Sequence, residues 1–271
     1  MLRPFLRWPG GKRRLLREIQ KRLPKHYKGY FEPFIGGGAL FFAQRPGFGY
    51  IGDFNPEVAN AYSVIKHKPA QLIHEVARHR NTETHYYALR NVDRDPEYRQ
   101  WTDVQRAARF VFLNRTCFNG ICRMNRRGQL NMGYGHLKKP TIMRPDDIWA
   151  AHHALRTIRV AHASFEEVLK LARPGDFVYF DPPYVPLSAT ASFTAYTAGG
   201  FGVEQQRDLW RVCVKLHRKG VKWMVSNSFT PIVVDLWRAF HVDTVMAPRS
   251  NGVGLNARRP VREVLITNYV T

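Results

Sequence analysis

The residues Asp181-Pro182-Pro183-Tyr184 follow an apolar run, Phe177-Val178-Tyr179-Phe180, that is short enough for a buried strand. Proline has no N–H, so Pro182 and Pro183 fix the backbone and leave its carbonyls as acceptors. Asp181 adds another acceptor and Tyr184 a flat face. Together they describe a slot for a planar group bearing an exocyclic amine. Stacking on such a face is worth about 1–3 kcal/mol per base. A strand-ending turn with a surface tyrosine would use the same four residues, so the remaining constellations have to decide.

The second constellation is Glu32-Pro33-Phe34-Ile35-Gly36-Gly37-Gly38, expected between a strand and a helix. Glycines there let the chain bend sharply and let a ligand come close. Asp53 ends the next expected strand, 17 residues after Gly36. That is roughly the spacing, about 20 residues, at which a carboxylate accepts hydrogen bonds from ribose hydroxyls. The pair points to an adenosine-containing ligand. The third is Arg7-Trp8-Pro9-Gly10-Gly11-Lys12. A phosphate loop is excluded because Arg13, not Ser or Thr, follows Lys12. Trp8 and Lys12 could contact a nucleoside or a carboxylate, or Trp8 could simply fasten an N-terminal hook. The 11 histidines form no HxxxH pattern or catalytic triad, and no metal site is expected; His85, His152 and His153 read as surface or helix-end residues.

The fourth feature is charge. The chain carries 42 Lys and Arg against 21 Asp and Glu, a net charge of +21, which points to a polyanionic partner. Val104 to Pro145 contains no acid and nine basic residues: Arg106, Arg109, Arg115, Arg123, Arg126, Arg127, Lys138, Lys139 and Arg144. Phe118, Asn119, Asn125, Asn131 and Tyr134 are interleaved. Basic groups neutralise phosphates, while flat and amide side chains stack on or read bases.

These groups need elements to hold them. Leu15, Leu16, Ile19 and Leu23 fit one helical face. Gly29 to Glu32 and Tyr50 to Gly52 read as strands, Ala39 to Gln44 as a helix, and Asn55 caps a helix from Pro56. Helical periodicity runs from about Lys68 to Arg115, and Met124 to Met132 reads as a basic hairpin. Alternation then resumes: strand Ile158 to Val160, helix Phe165 to Ala172, strand Phe177 to Phe180, helix Val203 to Lys219, strand Val221 to Val225, helix Pro231 to Phe240, and strands Val242 to Met246 and Val261 to Thr267. The fold class is α/β with a mostly parallel sheet interrupted by a helical and hairpin insert. Ligands in such sheets bind beyond the carboxyl ends of the strands.

The 271 residues are 44% hydrophobic, enough for a sizeable core, and no apolar run approaches the ~18 residues of a membrane span. The opening MLRPFLRWPGGKRR lacks the apolar stretch of a signal peptide. Cys117, Cys122 and Cys213 read as reduced thiols, so a cytoplasmic location is expected.

With these motifs in order, the sequence resembles the Dam-type DNA adenine methyltransferases nearly end to end. The resemblance rests on FLRWPGGK (Phe5 to Lys12), EPFIGGG (Glu32 to Gly38), GDFNPE around Asp53, Leu113 to Asn125, DPPYVPLSATASFTAY (Asp181 to Tyr196), SNG (Ser250 to Gly252) and EVLITNY (Glu263 to Tyr269). It implies a Rossmann-like S-adenosylmethionine-dependent methyltransferase sheet, with catalytic parts at 1–62 and 146–271 and a DNA-recognition insert at 63–145. It implies S-adenosyl-L-methionine as cofactor, S-adenosyl-L-homocysteine as product, and double-stranded DNA as partner, commonly at GATC. No membrane and no obligatory protein partner is implied, and the setting would be a bacterial cell, nucleoid-associated or phage-encoded.

Carried over by position, Trp8, Lys12, Phe34, Gly36, Asp53 and Asp181 would line the cofactor. Asp181, Pro182 and Tyr184 would hold the adenine. Arg7, Asn114, Arg115, Phe118, Asn119, Arg123, Asn125, Arg126, Arg127 and Lys138 would meet DNA. Phe118 and Asn119 would prop the helix beside an extruded base, and Arg123 would contact a guanine edge. The family usually has Lys at the position of Arg7, and often Val-Pro where Met132-Gly133 stand; arginine still satisfies guanine O6 and N7. N4-cytosine methylation, a DNA-binding regulator without turnover and an RNA substrate are the competing readings. The first usually carries Ser in place of Asp181, and intact Asp53 and Asp181 speak against the second.

Overall fold

A computed structural model describes residues 2–8, 10, 12–120, 123–125, 127–185, 201–247 and 260–270. Its strands are β1 (Tyr30–Glu32), β2 (Gly49–Asp53), β3 (Ile158–His162), β4 (Phe177–Phe180), β5 (Lys222–Ser228), β6 (His241–Ala247) and β7 (Val261–Thr267). Its helices are α1 (Leu16–Lys21), α2 (Ala39–Gln44), α3 (Pro56–His67), α4 (Pro69–Ala77), α5 (Glu83–Asn91), α6 (Asp103–Thr116), α7 (Pro145–Leu155), α8 (Val168–Leu171), α9 (Val203–Arg218) and α10 (Pro231–Leu236). The strand order is β3-β2-β1-β4-β5-β7-β6, the mixed α/β sheet expected. The described residues divide into two compact units.

The first unit takes in the described residues of Met1–Gly11 and Ile35–Ser164, and so contains the whole 63–145 segment. Here β2 and β3 run parallel, with Asp53 paired to His162 at their ends. Asn55 caps α3 as its sequence predicts: its side chain accepts from the N–H groups of Glu57 and Val58, and Pro56 opens the helix. Thr102 and Gln105 form a reciprocal capping box on α6. Phe110, Val111, Phe112 and Leu113 of α6 are all buried in this unit's core. The expected hairpin is present in its described residues, with a bridge between Met124 and Leu130.

The second unit takes in the described residues of Lys12–Phe34, Phe165–Thr194 and Phe201–Thr271. Strand β4 lies parallel between β1 and β5, with Phe180 opposite Val225. Strand β7 runs antiparallel to both β5 and β6. All four residues of β4 are buried, as its unbroken apolar sequence requires of a central strand. Two expected helices are shorter in the structure. The 165–172 segment begins as a 3-10 turn (Phe165–Glu167), and the helix from Pro231 stops at Leu236. The reason in the second case is packing: Trp237 and Phe240 turn inward onto Trp223, with ring centroids 5.6 and 4.7 Å away.

Candidate active site and nucleic-acid interface

The β4–β5 register sets Asp181 beside Ser226, because the preceding residues, Phe180 and Val225, are partners. Ser226 Oγ donates to Asp181 Oδ1 at 2.7 Å, and Lys12 Nζ pairs with the same oxygen at 2.7 Å. Both contacts fall on Oδ1, and among the described residues none falls on Oδ2. Lys12 is only 6% exposed, and its ammonium lies 4.5 Å from the centroid of the Tyr184 ring. Tyr184 donates its hydroxyl hydrogen to Glu263 Oε2 at 2.7 Å. Burial, then the Asp181 charge, pushes the Tyr184 hydroxyl well up, so it stays a donor. Burial also pushes the Glu263 carboxyl up, against the lowering effect of Lys12.

The two prolines do not share one role. Gln206 Nε2 donates to the Pro183 carbonyl at 3.0 Å, so this carbonyl already holds one bond, contrary to the expectation that both carbonyls stand free. Asn227 braces Gln206 and accepts from the Val185 N–H at 3.2 Å, while Ser228 Oγ donates to the Val185 carbonyl. The 181–185 segment is therefore stitched to the end of β5 and to α9. Phe34 belongs to this unit and stacks on Phe165 at 5.3 Å, with Phe180 and Phe201 meeting it edge-on. Sequence reasoning missed Ser226, Asn227, Gln206, Glu263, Phe165 and Phe201. A signal for the first two was available, since Ser226-Asn227-Ser228 is a polar run closing an apolar strand.

In the first unit, Gly36 has φ +43°, and a Cβ there would lie 2.6 Å from the Trp8 ring. Only glycine lets the indole close over this turn. The Gly36 N–H donates to Asp53 Oδ2 at 3.0 Å, and the Asn55 N–H to Asp53 Oδ1 at 2.9 Å. Tyr62 donates its hydroxyl hydrogen to the Gly36 carbonyl. The donors that hold Asp53 among the described residues are neutral backbone N–H groups. Burial pushes its carboxyl up to about 6, opposed by the two backbone donors and by His162. Each oxygen retains acceptor capacity, since a carboxylate offers about four lone-pair sites. The turn, the indole and this carboxylate fit an adenosine moiety. Thus Trp8, Gly36 and Asp53 are brought together in one unit, and Lys12, Phe34, Asp181, Pro182 and Tyr184 belong to the other.

The residues expected at DNA fall into three groups. Arg7, Phe118, Asn119, Arg123, Arg127 and Lys138 are exposed. Phe118, at 61%, is a large aromatic held out into solvent, and Asn119 beside it adopts φ +55°. Asn114, Asn125 and Arg115 have other partners. Asn114 is fully buried and clamps the Arg7 backbone, accepting from its N–H at 2.8 Å and donating to its carbonyl at 2.7 Å. The Asn125 side chain closes the hairpin turn, accepting from the N–H groups of Arg127 and Gln129. Arg115 donates twice to the Thr141 carbonyl, and burial, then the Arg7 charge, lowers its pKa. Arg126 lies outside the described residues.

The acid-free stretch is not a uniform DNA-facing surface either. Arg106 pairs with Glu57, and Arg109, 1% exposed, pairs with Asp93 at 2.8 Å. The sequence reading also missed a histidine contact. His79 and His85 meet ring to ring, 3.1 Å between nitrogens, and burial, then His85, pushes His79 down to about 4. No described helix is long and apolar enough to cross a membrane.

Comparison with known proteins adds independent findings. The family described as D12 class N6 adenine-specific DNA methyltransferase matches residues 8–250. The chain is 44% identical to the Type II methyltransferase M1.LlaDCHI of Lactococcus lactis subsp. cremoris, covering 99% of this chain and 96% of that one. It is 34% identical to the DNA adenine methylase of Vibrio cholerae O395, over 94% and 92% of the two chains. It is 32% identical to the DNA adenine methylase of Escherichia coli K12, over 97% and 94%.

Proposed function

The chain belongs to the D12 class N6 adenine-specific DNA methyltransferases, and from that membership we propose that it methylates N6 of an adenine turned out of duplex DNA at GATC, with S-adenosylmethionine as donor. The observation that carries the reading is the fixing of Asp181. Lys12 and Ser226 both hold Oδ1, while Gln206 occupies the Pro183 carbonyl. Asp181 Oδ2 and the Pro182 carbonyl, which have no partner among the described residues, would then be the two acceptors for the two hydrogens of an exocyclic amine.

Adenine N6 is a poor nucleophile because its lone pair is drawn into the ring. Two acceptors on its hydrogens draw the lone pair back toward nitrogen, and Tyr184 supplies the face on which the base stacks. Extrusion costs a few kcal/mol, which stacking and phosphate contacts offset. When bound, S-adenosylmethionine supplies a methyl group on a positively charged sulfur. Asp53 would accept from its ribose hydroxyls, with Trp8 and Gly36 shaping the adenosine end, and Lys12 and Phe34 would line it with Asp181. The chain's contribution is positioning and preorganised charge, with no covalent step on the protein.

The residues of 63–145 form the recognition insert in this reading, and 1–62 with 146–271 the catalytic parts. Arg123 gives its Nε to the Asn131 carbonyl at 3.0 Å; among the described residues its terminal nitrogens meet no acceptor, and in this reading they go to guanine O6 and N7. Arg7 would meet a second guanine, and Asn114 and Asn125 serve by positioning rather than by touching DNA. Relatives from bacteria and a phage support a bacterial cytoplasmic setting. The test is plasmid DNA treated with protein and cofactor, then digested with enzymes blocked or enabled by adenine methylation at GATC. Protection that follows this site supports the reading. Methylation at another sequence overturns the GATC assignment, and methylation of cytosine overturns the reading itself.

A further inference from the structure

The return arm of the hairpin is held from behind by side chains of α5 and the turn after it. The Leu130 N–H donates to Asp93 Oδ2 at 2.8 Å, and the Leu130 carbonyl accepts from Arg94 at 3.1 Å. The Met132 carbonyl accepts from Tyr86 Oη at 3.2 Å and from Arg90 at 3.1 Å. Asp93 is itself fixed from two sides. Arg109 meets Oδ2 at 2.8 Å and Arg94 meets Oδ1 at 2.6 Å. Arg109 is anchored in turn by the Leu89 and Arg90 carbonyls and by Tyr98.

Between the two gripped residues sits Asn131. Its N–H donates to the Arg123 carbonyl at 3.0 Å, and its carbonyl accepts from Arg123 Nε at 3.0 Å. A continuous path therefore runs from Arg109 through Asp93 to Leu130, Asn131 and Arg123. Three arginines of a strongly basic chain, Arg90, Arg94 and Arg109, point at the protein's own acceptors along it. A solvated basic face would leave them for phosphates. We propose that Asp93, locked by Arg109 and Arg94, is a specificity-determining positioning residue that sets the register of the return arm and so aims Arg123 at one base pair. This rests on the DNA-methylating reading above. The physical reason is that bidentate readout requires both terminal nitrogens to meet O6 and N7 together, so a small shift of the arm forfeits discrimination before it forfeits binding.

The test compares wild type, Asp93→Asn, Arg94→Ala and, as a control, Val76→Ala, which loosens a buried contact on α4 in the same unit. Each is assayed for kcat/KM on duplexes carrying the site the wild type methylates and on duplexes with one base pair changed at each position. Leu130 amide exchange is followed in parallel. Asp93→Asn and Arg94→Ala should lower discrimination about ten-fold at a single position, within two-fold elsewhere, and speed exchange at Leu130. Val76→Ala should lower Tm and leave discrimination unchanged. Arg94 is the more exposed partner, so Arg94→Ala carries the test if Asp93→Asn does not fold. Unchanged discrimination in the folded variants, a uniform loss at all positions, or an equal loss in Val76→Ala would overturn the proposal. No methylation by the wild type would sink the function reading instead, and the exchange measurement would still decide whether Asp93 fixes the arm.

Discussion

Asp53 and Asp181 both sit at the carboxyl ends of parallel strands, yet their surroundings are opposite. Asp53 is held by two backbone N–H groups, and burial pushes its carboxyl up to about 6. Asp181 has a buried lysine and a serine on one oxygen. The difference teaches what each acid is for. Neutral donors hold Asp53 in place but do not fully compensate its charge, so added hydroxyl donors from a ribose improve its lot. A buried lysine and a serine hydroxyl both hold Oδ1 of Asp181. In the proposed reading, one acid binds the cofactor ribose and the other orients a reacting amine.

The largest effect that could break this contrast is at Asp181. Asp181→Ala should lower methyl transfer by about 10³-fold or more, the scale of removing a preorganised electrostatic group, while DNA still binds. Single-turnover transfer with labelled cofactor, beside a DNA titration, checks this. Near-normal turnover would erase the distinction between the two acids.

Asp53 sharpens it through pH. Ionised Asp53 is the better acceptor, and its carboxyl titrates at about 6 in the free protein. Ribose donors favour the charged form, so binding expels a proton near that pH. Cofactor affinity should strengthen as pH rises from 5 to 7 and level off above. In Asp53→Asn that dependence should vanish, with binding weaker by roughly ten-fold at pH 7.5, the scale of a hydrogen bond to a charged group. Calorimetry in buffers of different ionisation enthalpy reads both the affinity and the proton.

Ser226→Ala should cost about ten-fold in kcat with little change in cofactor affinity, because Asp181 keeps Lys12 but loses a neutral orienting donor. A larger fall in cofactor affinity than in kcat would place Asp181 with the binding acid instead. The smallest effect is expected at Glu263→Gln, about two- to three-fold in kcat, since glutamine still accepts from Tyr184. Its loss should be greatest where Glu263 is ionised and vanish at lower pH, where the native carboxyl is neutral too.

Much of this was legible in the residues, because it depends on local chemistry. Asn55-Pro56 announces a cap and a helix start, and the structure carries both. Ala39 to Gln44 is a helix at the expected ends, and the apolar 177–180 run is the buried central strand. The glycine turn and Asp53 are neighbours, as their spacing suggested. What could not be read was which distant partner each polar group would choose. Ser226 and Glu263 reach the 181–184 segment through strand register across 45 and 79 residues. Arg109 looked like a phosphate ligand and is a buried partner of Asp93, while Asn114 and Asn125 turned out to hold backbone. Charge and residue type are visible in a sequence; the donor that reaches an acceptor first is set by packing.

The most direct measurement is nucleoside analysis of duplex DNA after incubation of the protein with methyl-labelled S-adenosylmethionine, run beside Asp181→Ala. The account predicts label in N6-methyladenine alone from the wild type, and about 10³-fold less from the variant over the same interval. Label on cytosine N4, or equal N6 labelling by both proteins, would contradict it.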